Sequence, residues 1–210
     1  ETPLGLPLTI LDAAPSRDTM AVIFSGDGGW RDLDSQVGTN LQAAGIPVVG
    51  VDSLRYFWSK KTPEQTSGDL ATIIHTYEKR WKVKHVMLIG YSFGADILPA
   101  AYNGLPDKLK SRVSLVSLLA LSHEADYEVS VSGWLGSGGS GGADPLTEVA
   151  RIDPALVQCM YGTDEDDDAC KDLVGGPIET IGIKGGHHFD GDYPALAKRI
   201  LDGLDKRTSR

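Results

Sequence analysis

Residues 84–96 read KHVMLIGYSFGAD, and the reading of this stretch decides the fold. The run "KHVMLI" has the length and apolar continuity of a strand buried on both faces. The residues that follow, "ILPAAYNG" (97–104), read as a helix closed by Gly104. Between them Gly90-Tyr91-Ser92-Phe93-Gly94 fits G-x-S-x-G. That pattern has a steric origin. A serine held on a sharp strand-to-helix turn needs small residues two before and two after, because strand and helix pass close together there. The helix N-terminus behind it favours developing negative charge. A serine that only capped the helix would not need glycine on both sides. Glycine is abundant in this chain, at 25 residues, so the context carries the argument more than the motif.

Working outward, apolar β-rich runs alternate with helical patterns. "LPLTILDA", "TMAVIFSG" (19–26), "IPVVGVDS" (46–53), "HVMLIG", "RVSLVSLLALS" (112–122), "ALVQCMYG" (155–162) and "IETIGIKG" (178–185) read as strands. Helices are predicted over 34–44, 63–81, 93–103 and 193–206. In 63–81, Leu70, Ile73, Ile74, Tyr77 and Trp81 share one face, and Pro63 suits the first turn. Strands alternating with helices imply βαβ units and a mainly parallel sheet covered on both faces. Residues 1–210 are expected to form one domain. The tract "GSGGSGGA" (136–143) cannot bury a core and is expected to be a flexible loop, native or engineered.

Bulk properties exclude some functions. The formal charge of -9 and the pI near 4.9 argue against nucleic acid, which needs a basic stripe. No apolar run is long enough to span a bilayer. Cys159 and Cys170 are the only cysteines, read either as buried thiols or, preferably, as a disulfide in an oxidising compartment. The chain begins "ETPLGLPLTI", which fits a mature form with a signal peptide removed.

A nucleophilic serine needs a base. His187 and His188 sit in "IKGGHHFDGDY", between the last strand and the last helix, at the edge of the sheet where the Ser92 turn lies. His187 is the preferred base, with His188 as the alternative. His75 and His85 are read as structural or exposed, and His123, at the end of the sixth strand, as an off-pattern candidate base. The carboxylate that orients the base is expected among Asp164, Glu165, Asp166, Asp167 and Asp168, after the strand that ends at Gly162; Asp126 is a further candidate. That acidic run lacks the glycine and glutamate of a calcium loop, and no metal or organic cofactor is expected. Two N–H donors should hold the oxyanion: those of Phe93 and of Asp27 in Gly26-Asp27-Gly28-Gly29-Trp30. The glycines of that loop do not make a dinucleotide fingerprint, because Arg31 stands where the third glycine belongs.

Taken together, "FSGDGGW", "VDSLRYFW", the "TPE" before a helix ending "YEKRW", "LIGYSFGAD" followed by "LP", "YGTDEDDDAC" and "GGHHFDGDY" resemble the VirJ/AcvB family of periplasmic bacterial proteins. The resemblance implies an α/β-hydrolase fold with little or no cap domain. It also implies a Ser-His-Asp triad. The family's Y-G-x-x-E-x-D-x-x-C falls on Tyr161, Gly162, Glu165, Asp167 and Cys170, which singles out Asp167 as the acid. It further implies a periplasmic location, and hydrolysis of the aminoacyl ester of aminoacylated phosphatidylglycerol, chiefly the lysyl ester, at the membrane surface. An association with type IV secretion and virulence, and so with secretion-system proteins, is implied as well. The acidic chain suits a cationic substrate, with Asp27 and Asp96 as candidate partners of its ammonium groups and helix capping as the other reading of Asp96. "RYFWSKK" (55–61) is a candidate contact with lipid headgroups or a packed loop. Two other readings compete: a different carboxylesterase or thioesterase, and a non-enzymatic secretion accessory protein on a hydrolase fold.

Overall fold

The structure is a computed structural model and describes residues 2–129 and 143–208. In chain order the main elements are β1 (Leu8–Leu11), β2 (Thr19–Phe24), α1 (Leu33–Ala43), β3 (Val48–Val51), α2 (Ser53–Tyr56), α3 (Pro63–Trp81), β4 (His85–Tyr91), α4 (Phe93–Asn103), α5 (Asp107–Lys110), β5 (Val113–Leu119), α6 (Pro145–Val149), β6 (Val157–Gly162), β7 (Glu179–Ile183) and α7 (Tyr193–Thr208). The Gly/Ser tract expected to be flexible lies, but for Ala143, outside the described residues.

The seven strands form one sheet in the order β1-β3-β2-β4-β5-β6-β7. β1 runs antiparallel to β3, and the other neighbours are parallel. Alternate side chains of β2 divide between the faces. Met20, Val22 and Phe24 join the core under α3 and α4, with Leu70, Ile74, Leu98 and Ala101. Ala21 and Ile23 join the core under α1 and α7, with Val37, Leu41, Ile200 and Leu204. All six residues of β2 are buried. This two-sided burial is why a parallel strand reads as an unbroken apolar run.

Local chemistry sets the boundaries. α3 begins where Thr62 Oγ1 accepts the Gln65 N–H and Gln65 Oε1 accepts the Thr62 N–H, a closed capping box with Pro63 in the first turn. It ends at Lys82, which takes a left-handed conformation. A short helix missing from the sequence reading, α2, forms because the Asp52 carboxylate accepts the Arg55 N–H. It carries part of "RYFWSKK" back into the molecule, so Tyr56 and Phe57 are buried, whereas Trp58, 63% exposed, stands out with Arg55, Ser59 and Lys60. Cys159 of β6 and Cys170 are disulfide-bonded, with Cα atoms 5.5 Å apart. Closing so short a loop removes about 3 kcal/mol of denatured-state entropy. The strand order reverses between β2 and β4, so a crevice opens beyond their carboxyl ends.

Candidate active site

Ser92 follows β4 directly and precedes the first residue of α4. Its backbone stands at φ 54, ψ -116, a conformation that costs an L-residue of order 1–3 kcal/mol. The flanking glycines are compulsory. A Cβ on Gly90 would lie 2.6 Å from the Gly94 carbonyl oxygen and 2.7 Å from Ala95 Cα. A Cβ on Gly94 would lie 2.2 Å from the Phe24 carbonyl oxygen. The strained turn lifts Ser92 Oγ to 2.8 Å from Nε2 of His187. With the imidazole neutral and its proton on Nδ1, the serine hydroxyl donates to Nε2.

His187 reaches this position because the loop after β7 is packed glycine against glycine on the loop after β6. A Cβ on Gly162 would lie 2.2 Å from the Gly186 carbonyl oxygen. The Asp164 N–H donates to the Gly185 carbonyl at 2.9 Å, and the Thr163 N–H to that of Ile183 at 2.8 Å. From beneath, the Tyr91 hydroxyl donates to the His187 carbonyl at 3.0 Å. The same hydroxyl meets His188 Nδ1 at 3.1 Å, so His188 is engaged by Tyr91 and has no hydrogen bond to Ser92. Burial pushes the His187 pKa below its ordinary value; the charges of Glu165 and Asp27 pull it back up, and that of His188 pushes it further down. The net effect favours the neutral ring, the form that can accept a proton.

The acidic loop separates its candidate carboxylates by burial and by their local bonds. Asp167 is exposed, and among the described residues neither it nor Glu165 makes a side-chain hydrogen bond to His187. The carboxylate whose charge acts most on His187 is that of Glu165. Its Oε1 is 3.5 Å from the point a Cβ on Gly186 would occupy. The cause is the turn after β6: the Glu165 N–H closes back on the Gly162 carbonyl at 3.0 Å, which sends residue 165 over the histidine loop. Lys171 Nζ donates to the Glu165 carbonyl. Asp168 is buried, its Oδ1 accepting the Cys170 N–H at 2.8 Å, and burial raises its pKa to about 6. Two residues of the run are therefore fixed by local bonds, and Asp167 between them faces water.

The loop from Gly26 to Leu33 forms the other wall. The Gly29 N–H bonds the Gly26 carbonyl at 3.2 Å, which leaves the Asp27 N–H inside the turn without a backbone acceptor among the described residues. Phe93 opens α4, so its N–H is one of the unpaired donors of a helix start. Its ring packs 5.0 Å from that of Phe57. Gly26, Asp27, Asp34, Tyr91, Ser92 and His187 line a cleft of about 280 Å³. A larger groove of about 750 Å³, between α3 and α5, contains no serine–histidine pair. Asp96 does not reach the cleft chemistry. Its two oxygens accept the Ser122 N–H and hydroxyl, both at 2.8 Å, and pin the exit of β5 to α4. His123 bridges Asp144 and Asp172. Among the described residues no group of three or more His, Cys, Asp or Glu side chains is placed to hold a metal. Asp34, on the cleft wall, escaped the sequence reading.

A serine on a strained turn after a central parallel strand, faced by a histidine from the loop after the last strand, defines an α/β-hydrolase fold, here with no cap domain among the described residues. Over residues 18–208 the chain matches the family described as Bacterial virulence protein (VirJ), and it belongs to that family. No curated protein matches it by sequence. Among solved structures it is similar to Est1E from Butyrivibrio proteoclasticus bound to ferulic acid, with TM-score 0.64 and 11% identity over 97% of this chain and 96% of that one. It is also similar to XC6422 from Xanthomonas campestris, described as an α/β serine hydrolase without lid, with TM-score 0.62 and 13% identity over 97% and 89%. A thioesterase domain from the curacin biosynthetic pathway gives TM-score 0.58 and 15% identity over 92% and 94%. At these identities the likeness concerns the fold.

Proposed function

We propose that the protein is a periplasmic serine esterase that cleaves the aminoacyl ester of aminoacylated phosphatidylglycerol. The observation that carries the enzymatic part is the 2.8 Å contact between Ser92 Oγ, held on its strained turn, and His187 Nε2. In the first step Ser92 Oγ bonds to the ester carbonyl carbon while its proton passes to His187 Nε2. The carbonyl oxygen, now an oxyanion, is held by the N–H groups of Phe93 and Asp27. Collapse breaks the carbon–oxygen bond to the lipid, and His187 returns the proton to the departing glycerol oxygen. Water then adds to the acyl-serine, gives its proton to His187, and the free amino acid leaves as Ser92 is restored. Glu165, in place of Asp167, stabilises the imidazolium formed in both halves.

The lipid part of the reading rests on family membership, on the acidic cleft and on the exposed Trp58 beside Lys60 and Lys61. An aromatic flanked by lysines suits an anionic headgroup layer. The described residues contain no helix long and apolar enough to cross a membrane, so the substrate would be met at the surface. The disulfide suits an oxidising compartment. Two assays test the proposal. A fluorophosphonate probe is expected to label Ser92 and to leave Ser92→Ala unlabelled; an unlabelled wild type removes the enzyme reading. Lysyl-phosphatidylglycerol vesicles incubated with the protein are expected to release lysine. Labelling without lysine release would transfer the assignment to another carboxylesterase or thioesterase activity.

A further inference from the structure

Two loops of the cleft converge on Tyr91, the last residue of β4 and the one directly before the nucleophile. It is buried, 6% exposed. A Cβ on Gly26 would lie 3.3 Å from its Cδ1, so the loop after β2 packs against the ring. The ring centroid is 5.4 Å from that of His187. At its tip the hydroxyl lies 3.0 Å from the His187 carbonyl oxygen and 3.1 Å from His188 Nδ1. A carbonyl oxygen can only accept, and the hydroxyl has one proton to give. Both contacts are hydrogen bonds at once only when His188 carries a proton on Nδ1. The bonds then run one way: His188 Nδ1–H donates to Tyr91 Oη, and Tyr91 Oη–H donates to the His187 carbonyl. An imidazolium keeps its Nδ1 proton, so the neutral and the charged ring of His188 both fit this chain.

We propose that Tyr91 is a positioning residue for the general base: its hydroxyl, oriented by His188, holds the His187 backbone so that Nε2 stays within reach of Ser92 Oγ. This rests on the serine-esterase reading of the cleft. Among the described residues nothing else donates to the His187 carbonyl. The bond matters because His187 follows Gly185 and Gly186, which lend the loop little stiffness; Gly185 stands at φ 114. The neighbouring backbone is tied by the Asp164 N–H to the Gly185 carbonyl and by the Phe189 N–H to the Gly186 carbonyl, at 2.9 and 3.1 Å, so the carbonyl of the base itself is left to Tyr91. Proton transfer needs the 2.8 Å contact between Oγ and Nε2, and a displacement of about 1 Å can cost about 100-fold in rate. Tyr91 and Ser92 are successive residues, so one strand end fixes both nucleophile and base. Neither Tyr91 nor His188 has to touch the substrate for this, and the effect falls on turnover rather than on binding.

The test reads kcat and KM separately, with 4-nitrophenyl butyrate as substrate. Tyr91→Phe keeps the ring and removes the hydroxyl. It is expected to lower kcat about tenfold, with KM within about twofold of wild type and the circular dichroism unchanged. His188→Ala is expected to lower kcat as much, and the double variant to stay within about twofold of either, where independent effects would multiply to about 100-fold. His188→Asn, whose amide N–H can take the place of Nδ1–H, is expected to return kcat to within about threefold of wild type. A wild-type kcat in Tyr91→Phe, a loss confined to KM, or a multiplicative double variant overturns the proposal. Should Tyr91→Phe not fold, the two His188 variants decide: recovery in His188→Asn but not in His188→Ala supports the proposal, and equal kcat in the two refutes it. Failure of the esterase reading looks different, since wild type would then neither react with the fluorophosphonate probe nor turn over an ester, and the proposal would fall with it.

Discussion

Two turns carry the chain from a central strand into a helix at the same edge of the sheet, and they solve one steric problem in opposite ways. Ser92 leads from β4 to α4 and Asp32 from the β2 loop to α1, and their backbones agree within a few degrees: φ 54, ψ -116 against φ 52, ψ -117. At Ser92 there is no slack. Strand and helix are separated by that one residue, and Gly90 and Gly94 are squeezed against backbone on both sides. At Asp32 the loop over residues 25–32 absorbs the change of direction, and a Cβ on Gly28 would meet only the flexible end of Arg31 at 3.7 Å. The difference teaches that strain at φ near +53 does not itself make a nucleophile. The short turn places Oγ against His187; the long one leaves the Asp32 side chain exposed and brings Asp27, Asp32 and Asp34 to the cleft wall.

The largest expected effect separates the two strained residues. Ser92→Ala should lower kcat by about 10⁴-fold or more with the fold intact, read by ester hydrolysis and circular dichroism. Asp32→Gly should leave Tm unchanged or raise the stability by up to about 1 kcal/mol, since it relieves positive φ and Asp32 makes no side-chain capping bond. A comparable loss of kcat in both variants would break the comparison. Next come the carboxylates: Glu165→Gln should cost about 10²–10⁴ in kcat, and Asp167→Asn should stay within about twofold of wild type. The reverse order would restore Asp167 as the orienting acid.

The glycines sharpen the contrast in stability. Gly94→Ala should destabilise by about 1–3 kcal/mol through overpacking against the Phe24 carbonyl, whereas Gly28→Ala should change it by less than about 0.5 kcal/mol, both by denaturant unfolding. The smallest effect is a shift in pH profile. Because burial holds His187 below its ordinary pKa of 6.5, the acid limb of kcat/KM should have its midpoint under pH 6.5. The Glu165 charge favours the imidazolium, so its removal makes protonation harder and Glu165→Gln should move the limb to still lower pH. A limb that moves to higher pH would refute the assigned influence of Glu165.

Much of the architecture was legible because it is written in local contacts. The bounds of α3 and α4 match the predicted 63–81 and 93–103, since the capping box at Thr62 and the turn at Ser92 are short-range features. The Ser92 turn could be read for the same reason: the glycines that crowding demands are in the motif itself. α2 escaped because one acceptor, Asp52, forms it inside a stretch read as a lipid-headgroup contact or a packed loop. The antiparallel direction of β1 left no trace in its own residues, since four residues of apolar sequence read alike either way.

By itself, then, the sequence determined the alternation of strands and helices, the serine turn at residue 92, the histidine loop at 187–188 and the pairing available to its two cysteines. These depend on periodicity, sterics at neighbouring residues and chain order. Tertiary structure decided which histidine meets Ser92, that Asp167 is exposed while the charge of Glu165 acts on His187, that Asp96 is taken by Ser122, and that Oδ1 of Asp34 is left buried without a partner. Each of these is a choice among chemically equivalent residues. It is made by distances of a few ångströms between loops far apart in the chain, where a carboxylate's meaning depends on what it touches and how much water it keeps.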